Sequence, residues 1–140
     1  MSAILEVGPF VFDAAHFLPS YKGVCRRLHG HTYAVTVRVR GEVRGSMVMD
    51  ARALRELVKK VITEYDHKLL VRQGMGTAIR EALRGVGVEV EIVELPEDPT
   101  VEVLAKDIAN KLAQQLPPHL SLEVCVREGF GAAATIVARL

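Results

Sequence analysis

The segment richest in possible chemistry is Leu28-His29-Gly30-His31-Thr32. Side chains alternate along an extended chain, so His29 and His31 point to one face, about 7 Å apart. Two imidazoles so placed can share one metal ion. A third, His16, closes the run Phe12-Asp13-Ala14-Ala15-His16, and pairing of that segment with the strand after His31 would bring it alongside. Three neutral nitrogens around zinc leave the fourth tetrahedral position to water or substrate, which is the pattern of catalytic zinc. The plainer alternative is surface histidines or hydrogen-bonded core histidines. The paired spacing with a third histidine at a strand end favours a metal.

Cys25 precedes His29 by four positions in Cys25-Arg26-Arg27-Leu28-His29. It could be a fourth metal ligand, which would close the site and make it structural. It could instead be a proton-transferring thiolate beside Lys22, Arg26 and Arg27, or an inert buried thiol. Asp66-His67 could form an acid/base pair in which the carboxylate fixes the imidazole tautomer, or a cap at the end of a helix. Glu128 follows an apolar run. A carboxylate there suits paired N–H donors of a heterocycle, or is an ordinary strand end. His119, after two prolines, reads as a loop residue, and Cys125 as a small core side chain.

Elements must position these groups, and periodicity supplies them. Residues 4–15 are apolar and rich in strand formers. Residues 32–39 alternate Tyr33, Val35, Val37 and Val39 against Thr32, Ala34, Thr36 and Arg38. Asp50 reads as the cap of a helix carrying Leu54, Leu57, Val58, Val61 and Ile62 and ending near Tyr65. A shorter helix over 78–83 and a strand-like run over 88–94 follow. Pro99-Thr100 open a second long helix with Val103, Leu104, Ile108, Leu112 and Leu116 on one side, closed by Pro117-Pro118. Strands at 120–127 and 134–139 complete the chain. The expectation is an α+β fold, a four-stranded antiparallel sheet with two main helices on one face. The mixed character of the other face suggests that subunits pack there.

With 140 residues, no repeat and no linker, one domain over 1–140 is expected. The 18 Lys and Arg against 17 Asp and Glu leave a formal charge of +1, which predicts no nucleic-acid partner. No window approaches the ~20 apolar residues of a membrane helix. A cytoplasmic protein without a membrane partner is expected, and its two distant cysteines read as free thiols.

Taken together, several short motifs resemble the 6-pyruvoyl-tetrahydropterin synthase superfamily in order and spacing, from about residue 4 to the C-terminus. They are Phe12-Asp13-Ala14-Ala15-His16, Cys25 three residues ahead of His29-Gly30-His31, Met47-Val48-Met49-Asp50, Asp66-His67-Lys68-Leu69-Leu70, Pro99-Thr100-Val101-Glu102 and Val126-Arg127-Glu128. The resemblance implies a tunnel fold, in which trimers of four-stranded subunits close a barrel and two trimers stack into a homohexamer with active sites between subunits. It implies Zn2+ on His16, His29 and His31, and Cys25 as a base outside the metal shell. Asp66 and His67 become its acid/base partners, and Glu128 and Thr100 bind substrate.

The three-residue interval after Cys25 resembles the 6-carboxytetrahydropterin synthase branch, whereas biopterin-pathway synthases usually have a longer one. A folate-pathway branch carries a glutamate near the cysteine, and none stands here. The implied reaction converts 7,8-dihydroneopterin triphosphate to 6-carboxy-5,6,7,8-tetrahydropterin, acetaldehyde and triphosphate, for 7-deazapurine (queuosine or archaeosine) synthesis. Lys22, Arg26, Arg27 and Lys68 are candidates for holding the triphosphate. The rivals are a 6-pyruvoyltetrahydropterin synthase and a non-enzymatic zinc-binding assembly protein. Val71, Ala51 and Gly129 depart from the family pattern, where Asn, Phe and Thr are common.

Overall fold

The computed structural model describes residues 1–139. In chain order the elements are β1 (Ser2–His16), a single 3-10 turn (Val24–Arg26), β2 (His29–Glu42), α1 (Ala51–Ile62), β3 (Lys68–Arg72), α2 (Gly76–Gly85), β4 (Ile92–Leu95), α3 (Val101–Ala113), β5 (Ser121–Glu128) and β6 (Ala132–Arg139). They build one six-stranded sheet in the order β4-β3-β1-β2-β5-β6. The four long strands β1, β2, β5 and β6 pair antiparallel, as their alternation predicts. The two short ones extend the sheet beyond β1 and run parallel to it and to each other.

The sheet therefore has six strands where four were expected, and it is mixed. The reason lies in Leu69-Leu70-Val71, all three buried. A strand covered on both faces shows a continuous apolar run instead of alternation, so its period is invisible. Leu70 joins the main core. Val71 faces the other way and pairs in register with Glu94, whose carboxylate accepts the N–H groups of Gly74 and Gly76 at 3.1 Å each. The N-terminus of α2 is thereby capped from that second face.

α1 and α3 cover the first face. Asp50 caps α1 by accepting the Arg52 N–H at 2.8 Å, and Thr100 caps α3 by accepting the Val103 N–H at 3.2 Å. Their stripes, Leu54, Val58, Val61 and Ile62 on α1 and Leu104, Ala105, Ile108 and Leu112 on α3, are buried against Val35, Val37, Val39, Leu122, Val124 and Val126. Each fully buried aliphatic side chain contributes about 1.5–3 kcal/mol, so packing fixes the helices more than propensity does. Cys125 is a correction. It alternates with the buried Val124 and Val126 and lies half-buried on the opposite face, lining a depression with Glu6, Thr36, Arg38 and Arg127.

One irregularity decides which face carries the chemistry. β1 pairs with β2 in one register through Val7↔Val37 and in another, shifted by one residue, from Phe10↔Val35 to His16↔His29. A one-residue bulge exchanges the faces of everything beyond it. Val7 and His16 thus both point into the core side, although nine positions apart. Gly8 at the bulge has φ +109° and an added Cβ would stand 2.7 Å from the Val35 carbonyl oxygen, so the shift needs glycine.

Beyond α1, Tyr65 ties the two long helices together. Its ring is fully buried, and its hydroxyl donates to the Asp107 carboxylate on α3 at 2.5 Å. In Tyr65→Phe, Asp107 keeps the Lys111 ammonium at 3.6 Å. The expected loss is about 1.5–3 kcal/mol of unfolding free energy, the worth of one hydrogen bond to a charged group. Urea denaturation should show a lowered midpoint with an unchanged slope.

Candidate active site

At one end of the sheet, on the helix-covered face, the three histidines converge. His16 and His29 are register partners, and His31 follows on the same face of β2. One ligand nitrogen from each lies within 4.8 Å of the others, and the ring centroids are 4.6, 4.8 and 5.1 Å apart. His16 is only 2% exposed. Burial pushes its imidazole below the ordinary histidine value, against the raising effect of the Pro99 carbonyl and Glu128, so it is held neutral.

Backbone carbonyls set the tautomers. His16 Nδ1 lies 2.8 Å from the carbonyl oxygen of Pro99, and His29 Nδ1 lies 2.6 Å from that of Arg27. A carbonyl can only accept, so both Nδ1 atoms carry the proton and both Nε2 atoms present lone pairs. Those two Nε2 atoms face each other at 3.0 Å. Two lone pairs at that distance repel unless a cation lies between them. Nitrogens 2.0–2.1 Å from a tetrahedral zinc would stand about 3.4 Å apart, close to what the side chains already adopt. The donor set fits a metal ion, with second-shell carbonyls of the kind that orient metal-bound imidazoles.

Glu128 belongs to this cluster. Its Oε1 lies 3.6 Å from His31 Nε2, and its side chain is 22% exposed, accessible to a ligand. Tyr33, its register partner, places its hydroxyl 3.3 Å from His16 Nδ1 and stacks on Phe12 with centroids 5.1 Å apart. Burial pushes the Tyr33 phenol far up, so it stays protonated as part of the wall. Thr100 uses its hydroxyl oxygen as the α3 cap, one residue from the carbonyl that orients His16.

Cys25 sits half-buried in the 3-10 turn of the β1–β2 loop, and both cysteines are free thiols. Among the described residues it is outside the metal-ligand group, which holds the three histidines alone. A closed four-ligand site is therefore not formed here. Tyr21, Lys22, Val24, Arg26, Arg27 and Leu28 around it are all exposed.

Asp66 and His67 lie elsewhere. His67 Nδ1 is 2.9 Å from Asp66 Oδ1, which also accepts the Asp13 N–H at 3.1 Å. That N–H, aided by His67 and opposed by desolvation, holds the Asp66 carboxyl below the usual range. His67 has φ +60°, uncommon for a residue other than glycine, and its side chain is 79% exposed. Asp13 accepts from the Thr32 hydroxyl at 2.5 Å. Asp13 and Thr32 alternate with Phe12, Ala14, His31 and Tyr33, so they occupy the opposite sheet face. His67 and these two line an open cleft of about 740 Å³ that only His31 of the triad borders. The structure brings His16, His29, His31, Glu128 and the segment of Thr100 together, and it holds the Asp66-His67 pair at the edge of β1, bonded to the Asp13 backbone, with His67 and His31 bordering one cleft.

Sequence reasoning missed Tyr33 and the carbonyls of Pro99 and Arg27. Tyr33 could have been found, since it continues the odd-numbered face of His29 and His31. The carbonyls carry no residue-type signal.

The family model described as 6-pyruvoyl tetrahydropterin synthase matches residues 7–138. The chain is 33% identical over 109 residues to the 6-carboxy-5,6,7,8-tetrahydropterin synthase of Haemophilus influenzae, covering 74% of this chain and 77% of that one. It is 29% identical over 112 residues to the dihydroneopterin monophosphate aldolase of Pyrococcus furiosus, covering 80% and 77%. Among solved structures, the 6-pyruvoyl tetrahydropterin synthase of Plasmodium falciparum superposes with a TM-score of 0.79 at 26% identity, over 99% of both chains. A family model matched over nearly the whole chain and a relative 33% identical over 77% of its own length show that the chain belongs to the 6-pyruvoyl tetrahydropterin synthase family of enzymes.

Proposed function

We propose that this enzyme is a zinc-dependent 6-carboxy-5,6,7,8-tetrahydropterin synthase, acting on 7,8-dihydroneopterin triphosphate in the cytoplasm, with acetaldehyde and triphosphate as the other products. The observation that carries the reading is the set of three converging imidazoles with Glu128 beside them. His16, His29 and His31 would hold the zinc, which as a Lewis acid polarises an oxygen of the substrate side chain. Glu128 accepts the paired N–H donors of the pterin ring, and Thr100 contributes to holding the substrate. Cys25 removes a side-chain proton, and the cations Lys22, Arg26 and Arg27 in its loop, with Lys68, face the triphosphate.

Asp66 fixes the tautomer of His67 through Nδ1, leaving its exposed Nε2 to relay a proton. With its imidazole exposed, this pair would serve a histidine site shared between copies of the chain. That arrangement supports an oligomer with active sites between subunits, the homohexamer of the resemblance. The product would enter 7-deazapurine synthesis, toward queuosine or archaeosine.

The similarity to a dihydroneopterin monophosphate aldolase favours a second reading. The same site would then cleave the side chain of a dihydroneopterin monophosphate. Both substrates carry the pterin head that Glu128 would grip, and they differ in phosphate number.

Mass spectrometry of the products formed by zinc-loaded protein decides between them. Formation of 6-carboxytetrahydropterin from 7,8-dihydroneopterin triphosphate is the expected result. Turnover of the monophosphate alone would establish the aldolase, a 6-pyruvoyl product would move the chain to the other synthase branch, and no turnover of any dihydropterin would return it to a non-enzymatic role. Cys25→Ala should retain its zinc and lose at least about 100-fold in rate, the scale of a missing acid/base group.

Removing a ligand separates metal from proton transfer. His29→Ala should bring bound zinc from about one ion per chain to near zero. X-ray absorption of the parent protein should show nitrogen and oxygen neighbours and no sulfur at about 2.3 Å. A sulfur neighbour would make Cys25 a ligand and end its role as a base.

A further inference from the structure

The Asp98 carboxylate is 14% exposed and sits between three parts of the chain. Its Oδ2 accepts the Ser20 backbone N–H at 2.9 Å, and its Oδ1 accepts from the Ser20 hydroxyl at 3.4 Å and from Arg72 Nη1 at 3.0 Å. Arg72 ends β3 and also approaches the Ser20 hydroxyl at 3.5 Å. The carbonyl of Asp98 accepts the Thr100 N–H at 2.7 Å, so the Asp98-Pro99-Thr100 segment is closed on itself as α3 begins. The carbonyl of Pro99, in its middle, is the one that orients His16.

Ser20 belongs to the loop that carries Cys25. Two backbone bonds fold that loop, Tyr21 N–H to the Leu18 carbonyl at 3.1 Å and Leu18 N–H to the Cys25 carbonyl at 2.9 Å. Leu18 thus touches both the turn containing Ser20 and the residue bearing the thiol. Most side chains of the loop from Ser20 to Leu28 are exposed, so apolar burial does little to hold it. The bonds to a charged, sheltered carboxylate supply the tether that packing does not.

We infer that Asp98 is a positioning residue that sets the His16 imidazole and the Cys25 loop in one frame. On one side it fixes the peptide whose carbonyl holds the His16 tautomer. On the other it fixes the turn from which Cys25 is hung. The thiol and the histidine cluster then keep a constant separation although they lie on different kinds of structure. The inference rests on the reading of His16 as a ligand and Cys25 as a base, and adds the residue that couples them.

Asp98→Ala is compared with Asp98→Asn, which keeps an oxygen for the Ser20 N–H, and with Tyr65→Phe as a destabilised control remote from the loop. Two quantities are read on folded protein. One is the rate of iodoacetamide alkylation of Cys25, resolved from Cys125 by peptide mass spectrometry. The other is cobalt(II) affinity, from the visible absorption of the bound ion. Asp98→Ala should speed Cys25 alkylation about tenfold, as expected for losing hydrogen bonds to a charged acceptor. It should weaken cobalt(II) binding about tenfold, the lower range for disturbing an outer-shell partner. Asp98→Asn should recover most of both, and Tyr65→Phe should change neither.

Parent-like values in Asp98→Ala, a change in one quantity without the other, or the same changes in Tyr65→Phe would overturn the inference. A parent protein that takes up no cobalt(II) would sink the metal reading. The Cys25 alkylation rates would then decide the tether by themselves, an unchanged rate in Asp98→Ala refuting it.

Discussion

A buried imidazole must have its hydrogen bonds made inside the protein, and in this chain that requirement falls on His16. With 2% of its surface exposed, it cannot turn to water for a partner, and an unpaired buried polar group costs about 1–3 kcal/mol. The Pro99 carbonyl meets the need and in doing so decides which nitrogen is left for a metal. That bond spans 83 positions of sequence. It makes the start of α3 part of the site without any side chain of α3 reaching it, and it explains why the Thr100 cap sits where it does.

The same requirement bears on the sheet. His16 reaches this position only because the pairing of β1 slips by one residue between Val7 and Phe10. A β1 with unbroken alternation from Val7 would place Asp13 and Ala15 over the helices and His16 on the open face. The bulge therefore costs a residue of regular pairing and a glycine with little entropy left to it in the fold. Its return is the convergence of three imidazoles on one face, with His16 buried deeply enough to stay neutral. It also sends the side chain of Asp13, with that of Thr32, to the other side.

How much of this was legible in the residues follows from the same physics. The paired histidines, the two long helices and the four long strands announced themselves, because their spacing repeats at 2 or 3.6 residues. Leu69-Leu70-Val71 did not, since burial on both faces removes the period that would have marked a strand. The residues of the site were legible by type, while the face each occupies was not. That depends on the bulge, whose sign in the sequence is only Gly8-Pro9. The carbonyls of Pro99 and Arg27 had no sign at all, because every residue has one. None of the family motifs falls within residues 72–98, yet Arg72 and Asp98 at the two ends of that stretch meet beside Ser20.

The division of labour between strand and loop has a consequence for the chemistry. Ligands on paired strands hold their separation because each neighbouring backbone bond would have to break for one to move. A proton-transferring group needs hydrogen-bond reach to an atom of the substrate, and that atom shifts as bonds rearrange. A thiol on a loop can follow such a shift, but an untethered loop would spend much of its time out of reach. The geometry around Ser20 answers both demands. The turn is pinned by charge-assisted bonds to Asp98, while Cys25, five residues further along and half-buried, is held through its carbonyl to the Leu18 N–H. Holding the histidines on paired strands and the cysteine loop by its bonds to Asp98 and Leu18 keeps the base within reach of the metal site.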